Sequence, residues 1–225
     1  MNDQSPQRTP SIATHRNLIG GRDVPAASGA LLDVVSPVDG VAFAAIAASD
    51  AADVDAAVAA ARAAFEGAWS ALTATERGRF LVRLGAAVEA EADALAAIEM
   101  RDLGKPLRQA RADAVALARY LEYYGSAADK LHGDVIPYAG THFVGVERVP
   151  HGVTGHIIPW NYPMQILGRS VGAALAAGNA TVVKPAEDAS LTAIRIGELA
   201  LEAGIPEGVI NIITGYGRDA GAALS

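Results

Sequence analysis

Residues 152–221 read GVTGHIIPWNYPMQILGRSVGAALAAGNATVVKPAEDASLTAIRIGELALEAGIPEGVINIITGYGRDAG. Three short β-branched runs, GVTGHIIP, ATVVKPA and GVINIIT, are separated by two helical stretches, PMQILGRSVGAALAAG and about Ser190 to Ala203. Another helix is expected to begin near Asp219. This alternation predicts βαβ units and a parallel sheet covered on both faces. An open parallel sheet binds its ligands beyond the carboxyl ends of its strands. The segments to read for function are therefore Pro159-Trp160-Asn161-Tyr162-Pro163, Lys184-Pro185-Ala186-Glu187 and Gly215-Tyr216-Gly217-Arg218-Asp219-Ala220-Gly221.

Working outward, residues 133–150 hold two extended runs, VIPYAG and THFVGVERVP. They read as a protruding hairpin whose exposed edges suit subunit pairing. Residues 50–132 read as three helices. Asp50 or Asp53 caps the first, with Val54, Val58 and Phe65 on its apolar face. Thr73 or Thr75 opens the second, Glu76 is placed for a capping box with Thr73, and Phe80, Leu81, Leu84, Val88, Leu95 and Ile98 follow at helical spacing. Leu103-Gly104-Lys105-Pro106 stops it, because glycine fits a left-handed cap and proline cannot continue a helix. The third helix spans about Leu107 to Leu131. Residues 18–48 read as short strands joined by turns at Gly20-Gly21 and Asp39-Gly40, and residues 1–17 as a flexible arm. The domain plan is thus an arm over 1–17, strands and then helices over 18–132, a hairpin over 133–150, and βαβ units over 151–225.

The 225 residues are 51% hydrophobic and 19% charged, enough for a sizeable core and unlike a disordered tail. No apolar run reaches the roughly 18 residues of a membrane span. The longest, Met164 to Ala177, is interrupted by Arg169. The opening MNDQSPQRTPSIATHR lacks the apolar stretch of a secretory signal. A net charge of −7 argues against non-specific nucleic-acid binding, which depends on Lys and Arg. The expectation is a soluble, cytoplasmic protein with no membrane or nucleic-acid partner. The chain contains no cysteine, which excludes disulfides, cysteine-ligated metals and a thiolate nucleophile within these residues. Its five histidines show no ligand spacing, so no metal is expected.

Each strand-end segment carries a chemical and a purely structural reading. Two prolines hold Trp160-Asn161-Tyr162 rigid, making Asn161 a fixed amide donor suited to an oxyanion hole; the alternative is a stiff turn around a core tryptophan. Lys184 and Glu187 place a cation and a carboxylate at the sheet's rim, where the carboxylate can accept hydrogen bonds from vicinal ribose hydroxyls. The alternative is a solvated salt bridge at a strand end. The glycine loop is one residue longer than a G-x-G-x-x-G fingerprint, so it reads as a phosphate cradle or as a tight turn with close helix packing. Glu187-Asp188 as an acid–base pair is more simply a cluster near a helix start.

Together, PWNYP, KPAE and TGYGRDAG, in that order, with LGKP at 103–106 and GHIIPWNYP at 155–163, resemble the NAD(P)-dependent aldehyde dehydrogenase superfamily. The resemblance runs from near Leu18 to Ser225 and matches only the N-terminal, cofactor-binding half. It implies an α/β fold, a Rossmann-like open parallel sheet with an N-terminal helical segment and a protruding β-hairpin, truncated within the alternation. By position it implies Ile157, Ile158 and Trp160 in the cofactor pocket and Asn161 stabilising the oxyanion of a thiohemiacetal. Lys184 and Glu187 become adenine-ribose contacts, Gly217 and Gly221 the turn near the pyrophosphate, and Tyr162 and Ile166 one wall of a substrate pocket. Glu187 favours NAD over NADP, because a carboxylate repels a 2′-phosphate. The attacking cysteine and the glutamate that activates water fall beyond Ser225 in this comparison.

Two expectations follow from the resemblance. In one, the chain is the N-terminal part of an NAD-dependent aldehyde dehydrogenase that is a homo-oligomer at full length, and is inactive by itself. In the other, it is a catalytically silent protein that binds NAD or pairs with full-length subunits through the hairpin. Under either, ending at Ser225 leaves a strand edge and an apolar face open, which predicts poor solubility without a covering partner.

Overall fold

The computed structural model describes residues 12–225. It begins with five short strands: β1 (Ala13–His15), β2 (Asn17–Ile19), β3 (Arg22–Val24), β4 (Leu31–Val35) and β5 (Ala42–Ala47). Four helices follow, α1 (Ala51–Ala64), α2 (Ala74–Ala90), α3 (Ala92–Leu103) and α4 (Leu107–Ala127). Strands β6 (Asp134–Ile136) and β7 (Val144–Val146) form the expected antiparallel hairpin. The chain then runs β8 (Val153–Ile158), α5 (Pro163–Ala176), β9 (Ala180–Pro185), α6 (Leu191–Glu202), β10 (Ile210–Ile212) and the single turn α7 (Ala222–Leu224).

Helix starts and stops follow local chemistry. Asp50 caps α1, and Asp53 returns the bond to complete a capping box. Thr73 and Glu76 form the expected box at α2. Gly104 closes α3 in the left-handed region at φ 70°, which LGKP supplies at no steric cost. Proline at the first position of α5 lacks only an N–H that would have no partner there.

The main sheet has the order β3-β2-β10-β9-β8. Its β8, β9 and β10 are parallel, as the alternation predicts, but β10 also pairs antiparallel with β2, and β2 with β3. The sheet is therefore mixed. Strand β9 is buried along its whole length. Val183 faces a large core shared with α2, α4, α5 and α6, while Val182 faces a smaller one with Val54, Ala57 and Ala61 of α1. A second sheet, β1-β5-β4, is mixed as well.

Several expectations change. The flexible arm fails from Ala13 onward, because Ala13–His15 pairs with Ala44–Ile46 and Asn17–Ile19 is a buried strand of the main sheet. Residues 1–11 of that arm lie outside the described residues. The single helix expected up to Leu103 turns at Glu91. No glycine or proline marks this break. It brings the Glu91 carboxylate against the Arg195 guanidinium of α6 at 2.5 and 3.0 Å, a contact made by folding rather than by local propensity. The first helix stops short of Trp69, since Gly67 is non-helical. The third ends at Ala127 and passes into a 3₁₀ turn over Ala128–Lys130.

Helices α2 and α4 cross where two glycines meet. A Cβ on Gly78 would stand 2.3 Å from the Gly125 carbonyl oxygen, so neither backbone tolerates a side chain there. Gly78→Ala is expected to lower stability by about 1–3 kcal/mol, the usual cost of overpacking. Urea unfolding followed by circular dichroism checks this, and an unchanged midpoint would mean that the crossing is looser than described.

Candidate functional site

The register of the parallel strands brings the three quoted segments to one rim. Ile157 and Ile158 lie opposite Lys184 and Pro185, while Ile212 lies opposite Val183. The Ala186 N–H donates to the Ile158 carbonyl at 2.8 Å, which ties the β8 and β9 ends together beyond the last ladder pair. Ile158 turns its side chain into the core, so it can offer the rim only main chain. Ile157 on the opposite face is exposed.

Lys184 is one of the largest fully buried side chains, at 1% exposure, which removes the solvated-salt-bridge reading. Its Nζ donates to Glu187 Oε2 at 2.9 Å. Burial pushes the Glu187 carboxyl up, but the Lys184 hydrogen bond, aided by main chain at Glu187 and Gly217, holds it below the usual range. Glu187 thus stays ionised, with one oxygen engaged and a third of its side chain open to solvent.

Trp160 is 62% exposed, so it is not the core tryptophan of a stiff turn. That role falls to Trp69, whose buried indole N–H donates to the Asn179 carbonyl at 3.1 Å. Trp160 and Glu187 share a cavity of about 310 Å³ with Asp102, Leu103 and Asp188. Asn161 is exposed between Trp160 and Tyr162, and its amide makes no hydrogen bond among the described residues. The Tyr162 hydroxyl accepts from Gln109 Nε2 at 3.2 Å, and Ile166 lies half-buried against the main core.

In the glycine loop only Gly215 is demanded by packing. It has φ 136°, and a Cβ there would come within 2.9 Å of the Ser49 main chain. Gly217 faces open space, and the nearest atom to a Cβ on Gly221 is the Tyr216 carbonyl at 4.0 Å. These two glycines leave room for a ligand where the tight-turn reading would have filled it. Asn17 pins the start of this loop, its Oδ1 accepting from the Thr214 N–H and the Ser49 hydroxyl, each at 3.0 Å. Sequence reading missed Asn17 because it fell in the supposed arm.

A second missed group lies beneath the rim. Glu99, Asp102 and Asp113 are buried, and Lys105 Nζ bridges Glu99 Oε1 at 2.5 Å and Asp113 Oδ2 at 2.6 Å. A signal existed: Glu99 and Asp102 continue the Ala92, Leu95, Ala96 face of α3, so two acids occupy the apolar stripe. Burial works against the charge on Lys105, but its bonds to Asp113 and Glu99 more than offset this and hold it protonated. Among the described residues no group of three or more His, Cys, Asp or Glu is arranged to hold a metal ion. Nor is any helix among them long and apolar enough to cross a membrane.

The chain belongs to the aldehyde dehydrogenase family, whose family model matches residues 24–225. It is 45% identical over 216 residues to a mitochondrial benzaldehyde dehydrogenase of Antirrhinum majus, covering 95% of this chain and 40% of that protein. It is 47% identical over 208 residues to a hydroxyisobutyraldehyde dehydrogenase of Mycolicibacterium austroafricanum, covering 92% and 41%. The chain therefore spans about two fifths of the length of these curated relatives. Among solved structures, PnpE in complex with nicotinamide adenine dinucleotide superimposes with a TM-score of 0.91 at 46% identity, covering 93% of this chain and 43% of that one. An NAD-dependent aldehyde dehydrogenase from Sinorhizobium meliloti gives 0.91 at 38% identity, covering 99% and 45%.

Asp102 makes the rim region sensitive to pH. Its Oδ2 accepts from the Leu191 N–H at 3.1 Å at the start of α6, while Oδ1 has no partner. Burial, opposed by that hydrogen bond and reinforced by the charges of Glu99 and Asp188, pushes its carboxyl up to about 7 from 3.8. Between these values the folded state binds more protons than the unfolded one. The contribution of Asp102 to stability therefore falls as pH rises from about 4 to about 7, by at most about 1.4 kcal/mol per pH unit. Asp102→Asn keeps an oxygen for Leu191 and removes this slope. Its urea midpoint, relative to the parent chain, is expected to be higher at pH 8 than at pH 5. An equal difference at both pH values would show that Asp102 ionises normally.

Proposed function

We propose that the chain supplies the NAD-binding part of an oxidoreductase that converts aldehydes to carboxylic acids. One observation carries this reading: a buried Lys184 paired with an ionised, partly open Glu187, next to exposed Trp160 and the open turn at Gly217, on adjacent strand ends. The donor set fits an adenosine ribose, with Glu187 accepting from the vicinal hydroxyls and Lys184 adding a donor. A 2′-phosphate would meet the Glu187 carboxylate, so NAD is the cofactor rather than NADP. Gly217 and Gly221 leave the backbone free to approach the pyrophosphate, and Trp160 and the exposed Ile157 flank the rest of the pocket, with Ile158 contributing main chain.

NAD, when bound, accepts the hydride. The Asn161 amide donates to the substrate oxygen as negative charge develops on it, a role suited to an exposed side chain with no internal partner. Tyr162 and Ile166 form one wall of the aldehyde pocket. The reaction also needs a thiolate nucleophile and a carboxylate base. The chain contains no cysteine, so these residues alone do not turn aldehyde over. These 225 residues carry no structural disulfide, which suits a cytoplasmic location.

A second reading is a silent NAD-binding or subunit-pairing role. The β6–β7 hairpin favours the pairing part of it: Val135, Tyr138 and Phe143 are exposed on a ribbon of three-residue strands. In the complete enzyme the same ribbon joins subunits of a homo-oligomer.

The test is a titration of the isotope-labelled chain with NAD⁺ and NADP⁺, followed by nuclear magnetic resonance. NAD⁺ is expected to bind weakly, shifting resonances at Lys184, Glu187 and Gly217, with NADP⁺ weaker and Glu187→Ala weaker still. No NADH forms with any aldehyde in a preparation free of full-length enzyme. Shifts centred elsewhere, or turnover by the pure chain, would overturn the assignment. Tight binding without turnover, lost in Glu187→Ala, would favour the silent role.

A further inference from the structure

Besides ending α3, the LGKP segment lies against the strand-end segment that carries Asn161. Asp102 and Leu103 share the cavity wall with Trp160. Two residues on, the Lys105 ammonium stands 4.8 Å from the centre of the Tyr162 ring, within cation–π range. The aromatic residues on either side of Asn161 thus both face one continuous strip, residues 102–105.

Lys105 is held in place by buried groups. Its carboxylate partners are almost fully enclosed, with side chains 1% and 3% exposed for Glu99 and Asp113. The second oxygen of Asp113 accepts from Gln165 Nε2 at 2.6 Å, and Gln165 Oε1 in turn accepts from Arg169 Nη2 at 2.7 Å. Gln165 lies in the first turn of α5, two residues after Pro163. Gln109 from α4 holds the Tyr162 hydroxyl. The segment from Trp160 to Gln165 is therefore fastened at Tyr162, which Lys105 touches, and at Gln165, which it reaches through Asp113. The Asn161 side chain within it is exposed and makes no hydrogen bond among the described residues.

We propose that Lys105 is a positioning residue: clamped between Glu99 and Asp113, it sets the Trp160–Gln165 segment and so the direction of the Asn161 amide. Solvent could not do this, because a mobile amide would be only one of many donors to a developing oxyanion. A fixed donor does not reorganise during the reaction. A largely enclosed, doubly bonded ammonium gives that rigidity at the cost of desolvating charges. The oxyanion role of Asn161 rests on the function proposed above; its positioning by Lys105 does not.

The chain has two tryptophans, so a proton–nitrogen correlation spectrum of the labelled protein shows two indole signals. Trp69 is buried and Trp160 exposed, which separates core effects from segment effects. Lys105→Met is expected to move the Trp160 indole and Asn161 side-chain amide signals while leaving Trp69 in place. Lys105→Arg should return both most of the way, which a purely steric role would not predict. Should Lys105→Met fail to fold, Gln165→Leu removes one fastening only and is expected to give a smaller shift in the same direction. Signals of Trp160 and Asn161 that stay put in every folded variant, or that move only together with Trp69, would overturn the proposal. No cofactor is needed for this readout. An absent NAD⁺ response therefore counts against the proposed function alone.

Discussion

Parallel pairing of β9 with β8 on one side and β10 on the other is the constraint from which the site follows. Each strand ends within a residue or two of its neighbour, so the peptides that leave the sheet do so side by side. A slip of one residue would turn Lys184 to the opposite face and break its bond to Glu187. Burial on both faces prevents the slip, since Val182 and Val183 are each tied to a different core. Packing deep in the molecule thus fixes chemistry at its rim.

That dependence explains which parts were legible in the sequence. Two strands and two helices between Val153 and Glu202, and β10 after them, could be read from short β-branched runs and from caps, because such signals are local. Gly104 and the Thr73–Glu76 box were readable for the same reason. The antiparallel addition of β2 to β10 was not. Leu18 pairs with Ile212, and nothing near either residue announces the other. The break at Glu91 was hidden as well, its partner Arg195 being 104 residues away. At the rim, the motifs pointed to Trp160, Lys184 and Glu187, but sequence could not decide whether Trp160 was a core anchor or Lys184 solvated. Exposure at one and burial at the other decided both questions.

Charges below the rim form a unit that sequence inspection undervalued. A single ammonium serves Glu99 and Asp113, and Asp102 nearby has one oxygen unpartnered. Negative charge exceeds positive in this pocket. Burial above all, with the neighbouring carboxylates adding to it, makes the carboxyls of Glu99 and Asp102 hold their protons more strongly than usual. Such an arrangement is costly for stability and specific in geometry, a common combination where a binding surface has to be held still.

The pairing of β2 with β10 also governs when the protein can assemble. The Gly20 N–H finds its partner at Asn211, and Asn17 finds Thr214, so the first strand of the main sheet waits for nearly the last. At ribosomal speeds of about 5–20 residues per second, that wait is on the order of 10–40 s. Throughout it Leu18 and Ile19, buried in the final structure, lack their cover. Over that interval the nascent chain carries an apolar strand without its partner, the kind of segment that holding chaperones recognise. Folding of the sheet has to close a loop of 191 residues, from Gly20 to Asn211.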